Sequence, residues 1–143
     1  MKGDRGIMET SEYIKLNEGL RLFPYKCSAG KTTIGYGRNL EDIGISKEEA
    51  DFMFKNDIED AQAYLYEIFT ESIFKHHLSE NRQMVLTDMM FNLGKTRFSK
   101  FKKMIHAVKD NDFNEAAVQI EDSNYFRQVP NRAKENVSLM KEG

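Results

Sequence analysis

Cysteine is nearly absent from this chain. With Cys27 alone among 143 residues, no intramolecular disulfide can staple the fold. No Cys/His spacing resembles a zinc site, and the adjacent pair His76 and His77 would point in different directions on a helix, which argues against a shared metal. Also missing is any run of the eighteen or so apolar residues that a membrane span requires. Met1 to Ile14 contains no apolar stretch that could serve as a signal peptide, so the chain is expected to be made and to accumulate in the cytoplasm. There is no excess of one charge: 21 Lys and Arg face 23 Asp and Glu, for a net charge of -2. Nucleic acid and membrane surfaces are therefore not expected as main partners. Internal repeats, low-complexity tracts and flexible linkers are lacking too.

What is present suits one globular domain over 1–143. Its folding can bury about two thirds of the surface that the unfolded chain exposes. Apolar residues make up 40% of the chain, and ten Phe, six Tyr and eight Met give a core bulky material. Charge is unevenly placed. Glu41 to Asp60 is acid-rich, whereas Lys95 to Lys109 carries Arg97, Lys100, Lys102, Lys103 and Lys109. Such a basic run is either a solvated helix face or a surface for an anionic polymer.

Local patterns predict the elements. Met1 to Glu9 reads as a loose leader, followed by a short helix over 11–19 with Ser11 as its cap, Tyr13, Leu16 and Leu20 at helical spacing, and Gly19 as its left-handed end. Pro24 disfavours helix, and Thr32-Thr33-Ile34-Gly35-Tyr36 alternates as a strand does, so Leu22 to Gly37 is expected to form a β-hairpin. Its turn at Ser28-Ala29-Gly30 would bring Cys27 opposite Thr33. Thr33, Gly35 and Gly37 would share one face, left open by the glycines for a ligand.

Ser46-Lys47-Glu48-Glu49 is a capping box opening a long helix with an apolar stripe at Phe54, Ile58, Ala61, Leu65 and Ile68. Further helices are expected from Ser79 to Gly94, over Ser99 to Val108, after Asp112, and from Pro130 with Ala133, Val137 and Met140 facing inward. The fold class is therefore α+β, mainly α. A small β-hairpin lobe (about 20–45) and a connecting helix (about 46–69) lead to a helical lobe (about 70–143) that also takes helix 11–19.

Glu18 closes the first helix, where unpaired carbonyls disfavour a second negative charge and so favour the protonated acid. A carboxylic acid that holds its proton is what glycosidic cleavage needs, because the departing oxygen must receive one. By position alone, a glutamate at a helix end is usually a solvated surface residue. The segment Glu18-Gly19-Leu20-Arg21-Leu22, with Tyr25, Cys27, Gly30 and Thr33-Ile34-Gly35-Tyr36-Gly37, resembles the active-site segment of phage lysozymes of glycoside hydrolase family 24. That pattern has a Glu-Gly step closing a helix, an Asp or Cys nine residues after the Glu, and a Thr six further on, which here are Glu18, Cys27 and Thr33. Phe91-Asn92-Leu93-Gly94, Phe113-Asn114-Glu115-Ala116-Ala117 and Pro130-Asn131-Arg132-Ala133 extend the likeness from about Ser11 to Met140.

The resemblance implies a two-lobed lysozyme-like fold and hydrolysis of peptidoglycan by a monomer that uses no metal or cofactor. Glu18 would be the general acid, with Thr33 and Cys27 positioning water. Phe91 and Asn92 would line the sugar groove, and Arg132 would lie against Glu18. A separate holin is implied for access to the wall.

Two departures stand out against the T-even phage enzyme: a much shorter loop between Gly37 and the long helix, and Cys27 in place of an aspartate. Read from the residues alone, Cys27 can equally be a small buried apolar side chain, Phe91 a core ring, Asn92 a helix-surface amide and Arg132 a capping group. A lytic transglycosylase and a catalytically silent peptidoglycan-binding module are the rival functions.

Overall fold

The structure, a computed structural model, describes the backbone of residues 2–143 and side chains from Glu9 onward. Its elements run α1 (Lys2–Glu18), β1 (Arg21–Lys26), β2 (Thr32–Gly35), β3 (Arg38–Asn39), α2 (Lys47–Phe69), α3 (Glu71–His77), α4 (Glu80–Ser99), α5 (Lys102–Lys109), α6 (Phe113–Glu121), α7 (Asn124–Gln128) and α8 (Pro130–Glu142). This is the expected α+β, mainly helical class. The chain divides into two compact units, the first ending at Asp51 and the second running from Phe52 to Gly143.

In the first unit, α1 is longer than the helix read from Ser11, which lies inside it and does not cap it. Its end is as expected. Gly19 adopts φ 71°, and its amide closes on the carbonyl of Lys15 at 2.8 Å. The three strands form an antiparallel meander in the order β1-β2-β3, so the expected hairpin has a third strand that sequence patterning missed. At two residues, β3 is too short to show an alternation. Pairing slips between Arg21 and Tyr25, where Pro24 offers no amide to the ladder.

The β1–β2 turn forms at the expected place. Cys27 and Lys31 close it (N···O 3.0 Å), Gly30 donates to the Cys27 carbonyl at 2.8 Å, and Gly30 takes φ 79°, the positive-φ bulge of a three-residue hairpin loop. The helix α2 opens on the anticipated capping box: the Ser46 amide donates to Glu49 Oε1 (2.9 Å) and the Glu49 amide to Ser46 Oγ (3.1 Å).

The second unit holds the apolar core. Ala61, Leu65 and Phe69 of α2 meet Val85, Leu86, Met89 and Met90 of α4, Met104 and Val108 of α5, Ile120 of α6 and Met140 of α8, all buried. Only the C-terminal half of the α2 stripe is used, since Phe54 is exposed and Ile58 half-buried. The turn at Gly94 (φ 79°, ψ 167°) breaks α4 where a helix end was expected, but helical structure resumes up to Ser99, and α5 begins only at Lys102. Asp112 caps α6 by accepting the Glu115 amide at 3.2 Å, and Pro130 starts α8.

Candidate functional site

In the first unit, α1 delivers Glu18 at its C-terminus, and the Gly35-Tyr36-Gly37 turn comes up against it. A β-carbon built at Gly37 would lie 2.8 Å from the Glu18 carboxyl carbon, and Gly37 itself has φ 74°. Only glycine satisfies both demands, because a side chain would be strained at that φ and would collide with the carboxyl group. The open approach expected at Gly37 is thus taken by Glu18, and Gly37 lies in the turn beyond β2 instead of on a strand face.

Thr33 occupies the middle strand, paired with Tyr25 on one side and Asn39 on the other, which leaves it 3% exposed. Its hydroxyl donates to the Lys31 carbonyl at 2.9 Å. The register partner of Thr33 is Tyr25, not Cys27 as the turn argument expected. Cys27 pairs instead with Lys31 at the turn, one side-chain period beyond Tyr25, which puts it on the same sheet face as Thr33 and diagonal to it. The two side chains still meet. The thiol is held below its ordinary pKa by the Lys31 amide above all, then by the Ala29 amide and by the Thr33 hydroxyl.

Lys26 and Lys31 flank this turn and are the cations nearest to Cys27 in sequence. Both are engaged by acids: Lys26 by Glu41 at 3.2 Å and Lys31 by Asp42 at 3.4 Å. Hydrogen bonds to the sulfur therefore lower the thiol pKa, and lysine charge does not.

In the second unit, Phe91 stands on α4, half exposed, with its ring edge-on to Phe54 (centroids 5.5 Å apart). With Asp57, Asp60, Tyr64 and Gly94 it lines an open hollow of about 240 Å³ between α2 and α4. Aromatic faces beside carboxylate acceptors suit a sugar, whose C–H face stacks and whose hydroxyls donate. Tyr64, Asp57 and Asp60 went unnoticed in the sequence, where only their spacing of three and four along α2 marked them as neighbours of one helix face. Asn92 is exposed next to Phe91.

Arg132, in the first turn of α8, grips Asp88 of α4 in a two-pronged ion pair, with Nε 2.8 Å from Oδ2 and Nη2 on Oδ1. Asn136 adds a bond to Asp88 (2.9 Å) and a second to the Tyr125 hydroxyl (2.9 Å). Burial alone would raise the Asp88 pKa, but the hydrogen bonds from Arg132 and Asn136 outweigh it and hold the carboxyl below its ordinary value. Asp88 too was missed by sequence reasoning: a lone acid inside a helix, it offers no motif until its partners on α8 arrive from 44 and 48 positions away.

The basic run of α4 and α5 contributes Arg97, Lys100, Lys102 and Lys103 to an open groove of about 630 Å³, also lined by Phe101, Asp122 and Tyr125. Among the described residues no cluster of three or more His, Cys, Asp or Glu could hold a metal ion, and no helix is long and apolar enough to cross a membrane.

The chain is similar to "Probable T4-type lysozyme 2" of Dictyostelium discoideum, 26% identical over 163 aligned positions that cover 96% of each chain. It is 36% identical over 90 positions to an endolysin of Acyrthosiphon pisum secondary endosymbiont phage 1, covering 60% of this chain and 58% of that one. It is also 27% identical to the pre-baseplate central spike protein Gp5 of Enterobacteria phage T4, where 91% of this chain matches 27% of the longer protein. The phage lysozyme family model matches residues 15–135, a span that includes Glu18, the whole hairpin, Phe91 and Arg132, and the chain belongs to that family.

Proposed function

We propose that this protein is an endolysin that hydrolyses the β-1,4 bond between N-acetylmuramic acid and N-acetylglucosamine in bacterial peptidoglycan. The observation that carries the reading is the seat of Glu18: a carboxyl group at a helix end, lodged against a turn that only glycine can form, in the same unit as the Thr33 and Cys27 pair.

Glu18 is the general acid. It gives its proton to the glycosidic oxygen as the bond from that oxygen to the anomeric carbon breaks. Water, held by the Thr33 hydroxyl and by the Cys27 sulfur as hydrogen-bond acceptor, then adds to the anomeric carbon, and the proton it sheds returns through solvent to the Glu18 carboxylate, which restores the acid. Phe91 binds the glycan together with Tyr64, Asp57 and Asp60, which line the same hollow, and the exposed Asn92 next to Phe91 adds an amide outside it. Arg132, gripped by Asp88, belongs to the polar cluster of the second unit.

The protein acts as a monomer without cofactor. It is made in the host cytoplasm and meets the wall after a holin has opened the inner membrane, ending in host lysis. Analysis of the ends released from purified peptidoglycan tests this reading. Reducing N-acetylmuramic acid ends are expected, whereas anhydro ends would make it a lytic transglycosylase and binding without release a silent module.

A further inference from the structure

We propose that Glu41, in the turn after β3, is a positioning residue for Cys27 and Thr33, gripping the strands that carry them from the opposite face of the sheet. This rests on the reading of Cys27 and Thr33 as the groups that handle water. One carboxylate oxygen of Glu41 accepts three hydrogen bonds: from the Thr32 amide (2.9 Å), the Thr32 hydroxyl (2.9 Å) and Lys26 Nζ (3.2 Å). Lys26 Nζ also donates to the Thr32 hydroxyl at 2.7 Å, which closes a triangle.

Lys26 and Thr32 are register partners, and each immediately precedes one of the two groups in question, Cys27 and Thr33. Successive strand residues face opposite ways, so the triangle lies behind the sheet while Tyr25, Cys27 and Thr33 lie in front. Leu40 completes the grip by donating its amide to the Thr32 carbonyl at 2.8 Å. Thr32 is thereby held at both backbone polar groups by two consecutive residues of one turn.

An exposed Lys–Glu pair is ordinarily worth little. Here the carboxylate is bonded first to a backbone amide, a charge-assisted bond with a fixed direction. The Thr32 amide, its hydroxyl and Lys26, in that order, hold the Glu41 carboxyl down to about 2. Because the amide is part of the strand that carries Thr33, losing the bond shifts the strand end and with it the contacts made by Lys31, Ala29 and Thr33 to the sulfur.

A plainer role would be neutralisation of Lys26, and the two roles predict opposite signs at Cys27. If Glu41 only neutralises the lysine, its removal frees a cation beside the turn and the thiol pKa falls. If Glu41 positions the strands, its removal loosens the hydrogen bonds to the sulfur and the thiol pKa rises.

Cys27 is the only cysteine, so the pH dependence of its alkylation by iodoacetamide reads this thiol alone. The rate is measured on the wild type, Glu41→Gln, Glu41→Ala and the double variant Lys26→Met with Glu41→Ala, beside peptidoglycan digestion and the thermal midpoint. In Glu41→Ala the thiol pKa is expected to rise and digestion to fall by about tenfold, within the range a small misplacement can cost. Glu41→Gln keeps an acceptor for the Thr32 amide and should lose less, while the double variant should still show the raised thiol pKa. A thiol pKa that falls, or that stays put while digestion and the thermal midpoint drop together, overturns the proposal. A wild type that digests no peptidoglycan while its thiol responds as expected removes the hydrolase reading and leaves Glu41 in its positioning role.

Discussion

Inside each of the two units of this chain a different kind of interaction dominates. Among the described residues, all twenty buried apolar side chains lie between Ala61 and Met140, in the second unit, whereas Thr33 is the one buried side chain of the first unit. The first unit relies on directed polar contacts: Glu41 on Lys26 and Thr32, Asp42 on Lys31 and Asn39, and Glu49 on Arg38 through two bonds of 2.9 and 2.8 Å. Apolar burial is strong and non-directional, while hydrogen bonds are weak in net terms but fix geometry. The unit that presents Glu18, Cys27 and Thr33 is therefore specified by angles and distances. The other is specified by volume.

The largest effect that would sharpen this contrast comes from the core. Phe98 is fully buried and edge-on to Phe69 at 6.4 Å, so Phe98→Ala should cost about 3–5 kcal/mol in urea unfolding. Leu22→Ala on the exposed β1 strand should change stability by about 0.5 kcal/mol or less. Equal costs for the two would break the comparison.

Next come substitutions that leave the core alone. Glu18→Gln keeps the shape of the side chain but cannot give up a proton, so peptidoglycan digestion should fall by at least about 100-fold at an unchanged thermal midpoint. A folded Gln variant that keeps more than about a tenth of the rate removes Glu18 from the role of acid. Gly37→Ala should also depress digestion strongly, since the new methyl group displaces the Glu18 carboxyl. Digestion at the wild-type rate in that variant would show that the seat of Glu18 is unimportant.

The same contrast explains what could be read from the sequence. Periodicity and capping are local signals, and they located α2 with its Ser46–Glu49 box, the break at Gly94, the cap at Asp112 and the start at Pro130. The hairpin turn was legible because Gly30 marks it. Register was legible near the turn, because a loop of Ser28, Ala29 and Gly30 sets Cys27 against Lys31 and so Tyr25 against Thr33, but the irregularity at Pro24, which changes the pairing beyond Tyr25, follows no alternation rule. Illegible for a deeper reason were the polar partners brought together by folding. Asp88 meets Arg132 from 44 positions away, and Glu41 reads as one more acid in an acid-rich stretch until β3 carries it back to Thr32.

Smaller effects are expected at Cys27. Here Cys27→Asp should preserve or raise digestion and Cys27→Ala lower it, since the site needs an acceptor for water and the Lys31 and Ala29 amides are placed to stabilise a negative charge. Rate and thermal midpoint are measured together, with a reducing agent present. An Ala variant as active as wild type, beside an Asp variant that unfolds early, would make Cys27 a packing residue.

The smallest effect is on pH dependence, and it separates the units most finely. Glu41 and Glu49 are both held at about 2 against an ordinary 4.5, Glu49 first by the Ser46 amide and then by Arg38. A folded-state pKa below the unfolded one means that the carboxylate form favours folding. The stabilisation is complete above pH 4.5 and is lost as the pH falls from there towards 2. Both carboxylates are exposed, so the global midpoint should move little and the loss should be local. Two amides report it directly, those of Thr32 and Ser46, which donate to Glu41 and Glu49. Hydrogen exchange at these amides, corrected for its intrinsic pH dependence, should lose protection between about pH 5 and pH 2, while amides beside Met89 in the core of α4 keep theirs. High salt screens the Lys26 and Arg38 pairings but leaves the bonds from backbone amides, so the acid-induced loss at Thr32 and Ser46 should persist in salt. Protection that disappears at the same pH from Thr32, Ser46 and Met89 alike would mean that the first unit has no stability separate from the apolar core, and the contrast between the two would fail.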